Sequence, residues 1–398
     1  MSIDAALVEQ QPAVPSSWLT PRLARSAPVH RWFVFPHSYA PELVEWLANE
    51  LSLEEGATVL DPFCGAGTTL VEAQRMGLRS IGIDLLPLAV LASRTKTTRH
   101  RRAALSSAKK RAVASVRDAR VAVPNGLLAR AFEPEAFGRL AAALDTRASA
   151  RDCIRLAVLR SARQFSRLVA DGGWLREQEP ELGPEHIGDV LDQAFAEMEE
   201  DLGAVPTLES TVLEGDARAL PVASASVDAV ITSPPYPNRH DYTRVFAVEL
   251  ELGFGIGARV KELRYRALRS HPEARRRNAS NGYREPRAIE AVVGRVSERH
   301  DDARVARMLH GYFEDMFVVL REIHRVLKPG GRAALVVGNA QYCGIPVPVD
   351  ELLADVSERA GLTVEQIVPL RYRGNSAQQM SVFGRRPSRE SALVLQRP

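Results

Sequence analysis

The stretch ATVLDPFCGAGTTLVEAQRMGLRSIGIDLLP, residues 57–87, leaves few choices of fold. An apolar run ends on Asp61, and a turn with Gly65 and Gly67 follows. A helical pattern then closes on Gly77, and a second apolar run ends on Asp84. Glycine frees the backbone to turn and to approach a ligand, and it also terminates helices. Strand, turn, helix and strand in about thirty residues make a β-α-β unit. Such a unit forces a parallel sheet with right-handed crossovers.

The pattern recurs. STVLEGDA predicts a strand ending near Asp216, and SVDAVITSPPY one ending at Ser233. A long helical period over 305–326 leads through Pro329-Gly330-Gly331 to a strand at 333–337. A helix near 349–360 then precedes a last strand in GLTVEQIVPLRYRG. Strands alternating with helices predict an α/β fold, doubly wound on a mostly parallel sheet. Residues 29–94, 208–249 and 305–398 would form that domain. Residues 1–28, rich in Pro, Ser and Gln, read as a flexible tail. Residues 95–207 read as a helical insertion, and 250–304, with LRSHPEARRRNASNGYREP, as a basic loop insertion.

Open α/β sheets bind ligands beyond the carboxyl ends of their strands. Four such ends carry Asp61, Asp84, Asp216 and Ser233, and topology turns them toward one crevice. A dinucleotide loop would read G-x-G-x-x-G, but here Leu70 stands at the third position. Asp61 also places a carboxylate where a diphosphate would be repelled. Asp84 can accept from both hydroxyls of a ribose, and Asp216 from an adenine amine. Each aspartate alone reads equally as a helix cap or turn residue. Together they describe a site for a nucleoside with a cationic arm and no phosphate, the shape of S-adenosylmethionine. At the other edge, two consecutive prolines fix two φ angles and remove two donors. Ser233-Pro234-Pro235-Tyr236 is either a rigid strand stop or a stiff presentation of acceptors and a ring.

Charge is unevenly spread. The net charge is +3 over 398 residues, yet 94–120 carries +9 and 259–287 carries +7. Two basic segments on an acidic body point to a polyanionic partner, or else to solvated helix faces. Cys64, Cys153 and Cys343 lack metal-ligand spacing, so no metal site is expected, and three scattered thiols fit a reducing cytoplasm. No signal peptide and no run of about 20 apolar residues is present, so no membrane role is expected.

VLDPFCGAGTT resembles the cofactor motif of the amino-group DNA methyltransferases, and TSPPY their catalytic motif. FVFPHSYAPELVEWL, GIDLLPLAV and LEGDARAL are similar to the accompanying segments, under half the chain in all. The resemblance implies a class I, Rossmann-like methyltransferase fold and S-adenosylmethionine as cofactor. Its cofactor residues would be Asp61, Phe63, Cys64, Gly65, Gly67, Thr68, Asp84, Leu85, Asp216 and Ala217. Its catalytic residues would be Ser233, Pro234, Pro235 and Tyr236. Serine before PPY resembles the cytosine-N4 enzymes, with adenine-N6 and RNA amines as alternatives. A non-catalytic nucleic-acid-binding protein of the same fold is a further alternative. The expected partner is double-stranded DNA, with a cognate restriction endonuclease as a second.

The chemistry agrees with that resemblance. An exocyclic amine is a poor nucleophile because its lone pair is delocalised into the base. Ser233 Oγ and the Pro234 carbonyl can accept its two N–H groups and localise that pair, while Tyr236 stacks on a flipped base. Arg239 and Arg244 either contact phosphate or pair with Asp241 as a clamp. Arg275, Arg276 and Arg277 read as phosphate contacts. RYRGNSAQQM reads as a base-edge reader or a polar loop, and His37 and His240 as structural or surface groups.

Overall fold

The structure, a computed structural model, describes residues 12–171, 174–205, 208, 210–275, 282–374, 380, 382, 384 and 387–398. Its centre is a seven-stranded sheet: β1 Thr58–Asp61, β2 Arg79–Asp84, β3 Ser210–Glu214, β4 Val227–Thr232, β5 Leu327–Gly338, β6 Thr363–Arg373 and β7 Ser388–Gln396. The strand order is β3-β2-β1-β4-β5-β7-β6. All pairings are parallel except those of β7, which runs antiparallel to both β5 and β6. A plain dinucleotide sheet ends 4-5-6; the antiparallel strand wedged before the sixth marks a different doubly wound fold. The expected terminal strand is therefore not the last one. SALVLQ, short and uninterrupted, supplies β7, which inserts between β5 and β6.

The strands are buried on both faces, which is why they read as continuous apolar runs. On one side Leu60, Val230, Leu335 and Val337 pack against the helix Ala303–Val326 through Leu309, Phe313, Met316 and Leu320. On the other, Val59, Ile231, Ala334 and Val336 meet Leu43, Val44 and Leu47 of the helix Pro41–Glu50. The order reverses between β1 and β4, and there the crevice opens.

Residues 12–28 are not a loose tail. Val14, Leu19 and Ala24 are buried, and the Ala13 amide donates to the Pro369 carbonyl at 2.9 Å. Apolar residues among the prolines give this segment something to bury. The insertion at 95–207 is helical, as its composition implies, but also carries an antiparallel hairpin, Leu168–Asp171 with Trp174–Glu177. Its own core, including Leu105, Leu140, Ile154 and Phe195, continues into Phe33, Phe35, Ala66 and Phe246 beside the crevice. Within 250–304, the described part of 268–286 is irregular, but helices Gly257–Arg266 and Arg287–Arg299 flank it. The second repeats Ile289, Val292, Val293 and Val296 at helical spacing, a period that the loop reading passed over. Among the described residues, no helix is long and apolar enough to cross a membrane.

Candidate active site

The cofactor-type loop is held by its own strand ends. Asp84, ending β2, accepts from the Gly65 amide through Oδ2 at 3.0 Å and from the Leu86 amide through Oδ1 at 2.9 Å. Asp61, ending β1, accepts from the Phe63 amide at 3.0 Å and from the Thr232 hydroxyl at 2.6 Å. The last bond ties β1 to β4 across the switch point, one residue before Ser233. Gly67 must be glycine twice over. Its φ is +81°, and a Cβ there would lie 2.9 Å from Ser93 Cα. The turn then enters the helix Thr68–Arg75.

One crevice gathers Asp61, Phe63, Cys64, Gly65, Thr68, Asp84, Leu85, Asp216, Ala217, Ser233 and Pro235. Gly67 stands just behind, supporting the turn. Burial, the largest influence on both, pushes Asp61 and Asp84 up to about 6 from the ordinary 3.8. Two carboxylates made costly to ionise by burial are what a cationic ligand relieves. S-adenosylmethionine fits this donor set: a carboxylate pair for its ammonium and ribose, and a glycine turn that lets the backbone come close. Asp216 faces the same crevice but is already gripped by Arg218, whose Nε and Nη2 each lie 2.9 Å from it; Arg218 Nη1 reaches Asp315 at 3.0 Å.

Ser233 donates its hydroxyl proton to the Val336 carbonyl at 3.0 Å. An oxygen lone pair is thereby left for an incoming donor. Pro234 is buried and lies outside the crevice lining. Tyr236 stands behind Ser233: its hydroxyl is 3.4 Å from Ser233 Oγ, and its ring lies on Gly338, where a Cβ would come within 2.7 Å. It is half-buried and does not line the crevice that holds Asp61 and Asp84.

Of the arginines, Arg244 sits 3.4 Å from Asp241, which Arg264 holds at 2.6 Å, so Asp241 is the centre of a local clamp. Arg239 is exposed, with φ +70°, and its amide donates to the Ser270 carbonyl at 3.0 Å. Arg275 is exposed, its guanidinium stacked 3.7 Å over the Tyr265 ring. Arg276 and Arg277 lie outside the described residues.

The sequence reading missed several neighbours. Phe35, Tyr39, His37 and Tyr242 line the crevice from segments before and after the motifs. Lys96, fully buried, donates to the Phe33 and Ala66 carbonyls at 2.6 and 2.9 Å and so pins the glycine loop; burial pushes it down to about 7. Its signal was a lysine on the buried face of PLAVLASRTKT, a place where an unpaired charge is costly.

The chain matches the DNA methylase family model at residues 8–92 and a methyltransferase domain model at 250–335. It is 27% identical to the Type II methyltransferase M.BsoBI of Geobacillus stearothermophilus, over 93% of this chain and 86% of that protein. It is 28% identical to M.AvaI of Nostoc sp., over 94% of this chain and 87% of that protein. A shorter likeness, 39% over 61 residues, joins it to a tRNA (guanine(10)-N2)-dimethyltransferase of Methanothermobacter thermautotrophicus, covering 15% of this chain and 18% of that one. With a carboxylate-lined crevice at the switch point, the two near-full-length likenesses and the family match support the family of N4-cytosine and N6-adenine DNA methyltransferases, class I enzymes that use S-adenosylmethionine.

Proposed function

We propose that this protein methylates the exocyclic amine of a flipped base in duplex DNA, cytosine N4 in particular. The observation that carries the reading is Ser233, fixed by its bond to Val336 with an oxygen lone pair left to accept, in the lining of the crevice that holds Asp61 and Asp84. The cofactor supplies an electrophilic methyl on a sulfonium. Asp84 and Asp61 bind and orient the ribose and the ammonium. Ser233 Oγ and the Pro234 carbonyl accept the two N–H groups of the target and turn its lone pair out of the ring; the prolines keep both acceptors still. Tyr236, behind Ser233, offers its ring to the flipped base. Serine as the first residue of the motif supports cytosine over adenine.

In the same reading, the 250–304 insertion approaches the duplex, with Arg275 and Arg239 exposed for contact. Arg244 serves the Asp241 clamp. A companion restriction endonuclease acting at the same site belongs to the proposal. The local likeness to a tRNA guanine-N2 enzyme favours one rival, methylation of an RNA amine, since both chemistries need the same pair of acceptors. Transfer of a tritiated methyl to duplex DNA and to structured RNA separates them: label in DNA that elutes as N4-methylcytosine supports the proposal, and label in RNA alone overturns it.

A further inference from the structure

We propose that His37 and His240 are positioning residues whose ring-to-ring hydrogen bond holds the crevice shut over the bound cofactor. The inference rests on the cofactor site described above. The two rings come from segments on either side of the crevice, FVFPHSY before the glycine loop and PNRHDY after the SPPY motif. Their Nε2 atoms are 2.6 Å apart, with ring centroids at 4.2 Å and planes at 87°. Tyr242 sits against both, 5.8 Å from His37 and 5.7 Å from His240. Farther in, Phe35 packs on Phe246 at 4.4 Å between centroids, and Phe35 reaches to within 3.6 Å of where a Gly65 Cβ would stand. Phe35, His37 and Tyr242 all line the crevice with Asp61 and Asp84. The result is a seam, apolar at its inner end and polar at its solvent edge, running above the cofactor loop.

Two features make the outer end a closure rather than packing. An Nε2–H···Nε2 bond needs one donor ring and one acceptor ring, so it holds only while at least one imidazole is neutral. Burial foremost, then His240 and Arg373, keep His37 uncharged at neutral pH; burial lowers His240 as well, with Asp241 acting on that ring in the opposite sense. In addition, His240 follows Arg239, whose φ of +70° is unfavourable for a residue with a side chain. The His37 bond helps hold that strained segment down, and releasing it frees the segment to lift and let cofactor in or product out.

The test uses the full chain, with S-adenosylmethionine and S-adenosylhomocysteine as probes in calorimetry and in a chase measurement of dissociation. One neutral hydrogen bond is worth about a three- to tenfold change. His240→Ala is therefore expected to raise both Kd values, and the S-adenosylhomocysteine off-rate, by about that factor. The KM for S-adenosylmethionine should rise more than kcat changes. His240→Gln, whose amide can donate to His37, should restore binding. His37→Ala should reproduce His240→Ala, and the double variant should be no worse than either single one, because both remove the same bond. It also answers for a His240→Ala variant that melts early. A Kd change under twofold in both alanine variants, additive losses, or a glutamine variant as weak as alanine would overturn the closure while leaving the cofactor site intact. Absence of any binding to the wild-type chain would overturn the cofactor site and the closure with it.

Discussion

Asp61 and Asp84 hold their protons to about pH 6 because the crevice desolvates them. Their folded values lie above the ordinary 3.8, so the free protein binds more protons than its unfolded chain between those limits. The stability these groups contribute is therefore full in acid and is lost as pH rises from about 4 through 6. A cationic ligand works in the opposite sense, favouring the ionised pair. Calorimetric affinity for S-adenosylmethionine should thus be about tenfold weaker or more at pH 5 than at pH 7.5; a flat profile would deny that these carboxylates meet a cation. Ser233→Ala should lower kcat by about 10²-fold with a much smaller change in cofactor Kd, since it removes an acceptor used in the transition state. Single-turnover methyl transfer beside calorimetry would distinguish this from a general loss of fold. Asp61, Asp84 and Ser233 were legible because each ends an apolar run. Tyr242, Phe35 and Lys96 were not, because only tertiary packing brings a roof residue or a buried lysine to the site.

At the scale of elements, the glycine loop depends on what lies behind it. Gly67→Ala meets both a left-handed φ and the Ser93 backbone, whereas Gly56, with φ +82°, has nothing within 4 Å. Denaturant unfolding should show Gly56→Ala losing about 1 kcal/mol and Gly67→Ala clearly more, about 2–3 kcal/mol, with weakened cofactor binding only in the latter. Equal losses would mean that the close approach to Ser93 is not felt. The β-α-β unit announced itself because strand, glycine turn and helix period coincide within a short window. β7 did not: an antiparallel strand inserted between β5 and β6 answers to sheet geometry that no local pattern encodes. The helix Arg287–Arg299 had a readable period, hidden by the arginine-rich stretch before it.

At the scale of the molecule, both basic segments place part of their charge in ion pairs and leave part exposed. In the 94–120 segment Lys96 is buried, Arg94 pairs with Asp152 and Lys109 with Asp192. In the 250–304 segment Arg264 pairs with Asp241 and Arg269 with Glu314 and Asp315, while Arg275 is exposed, next to a groove that shares His271 with the crevice. If that groove follows the duplex, DNA affinity should fall steeply with salt. Arg275→Ala should then flatten the slope of log K against log salt by about 0.9, the release of one counterion. An unchanged slope in a fluorescence titration would remove Arg275 from the interface. The sequence showed the charge but not which basic side chains find acidic partners, because several of those partners lie far away along the chain. The central claim, an amine methylated beside Ser233, is met most directly by incubating the purified chain with tritiated S-adenosylmethionine and duplex DNA, then digesting to nucleosides. The account predicts label in N4-methylcytosine that disappears with Ser233→Ala. Label in 5-methylcytosine, or amine methylation that survives Ser233→Ala undiminished, would contradict it.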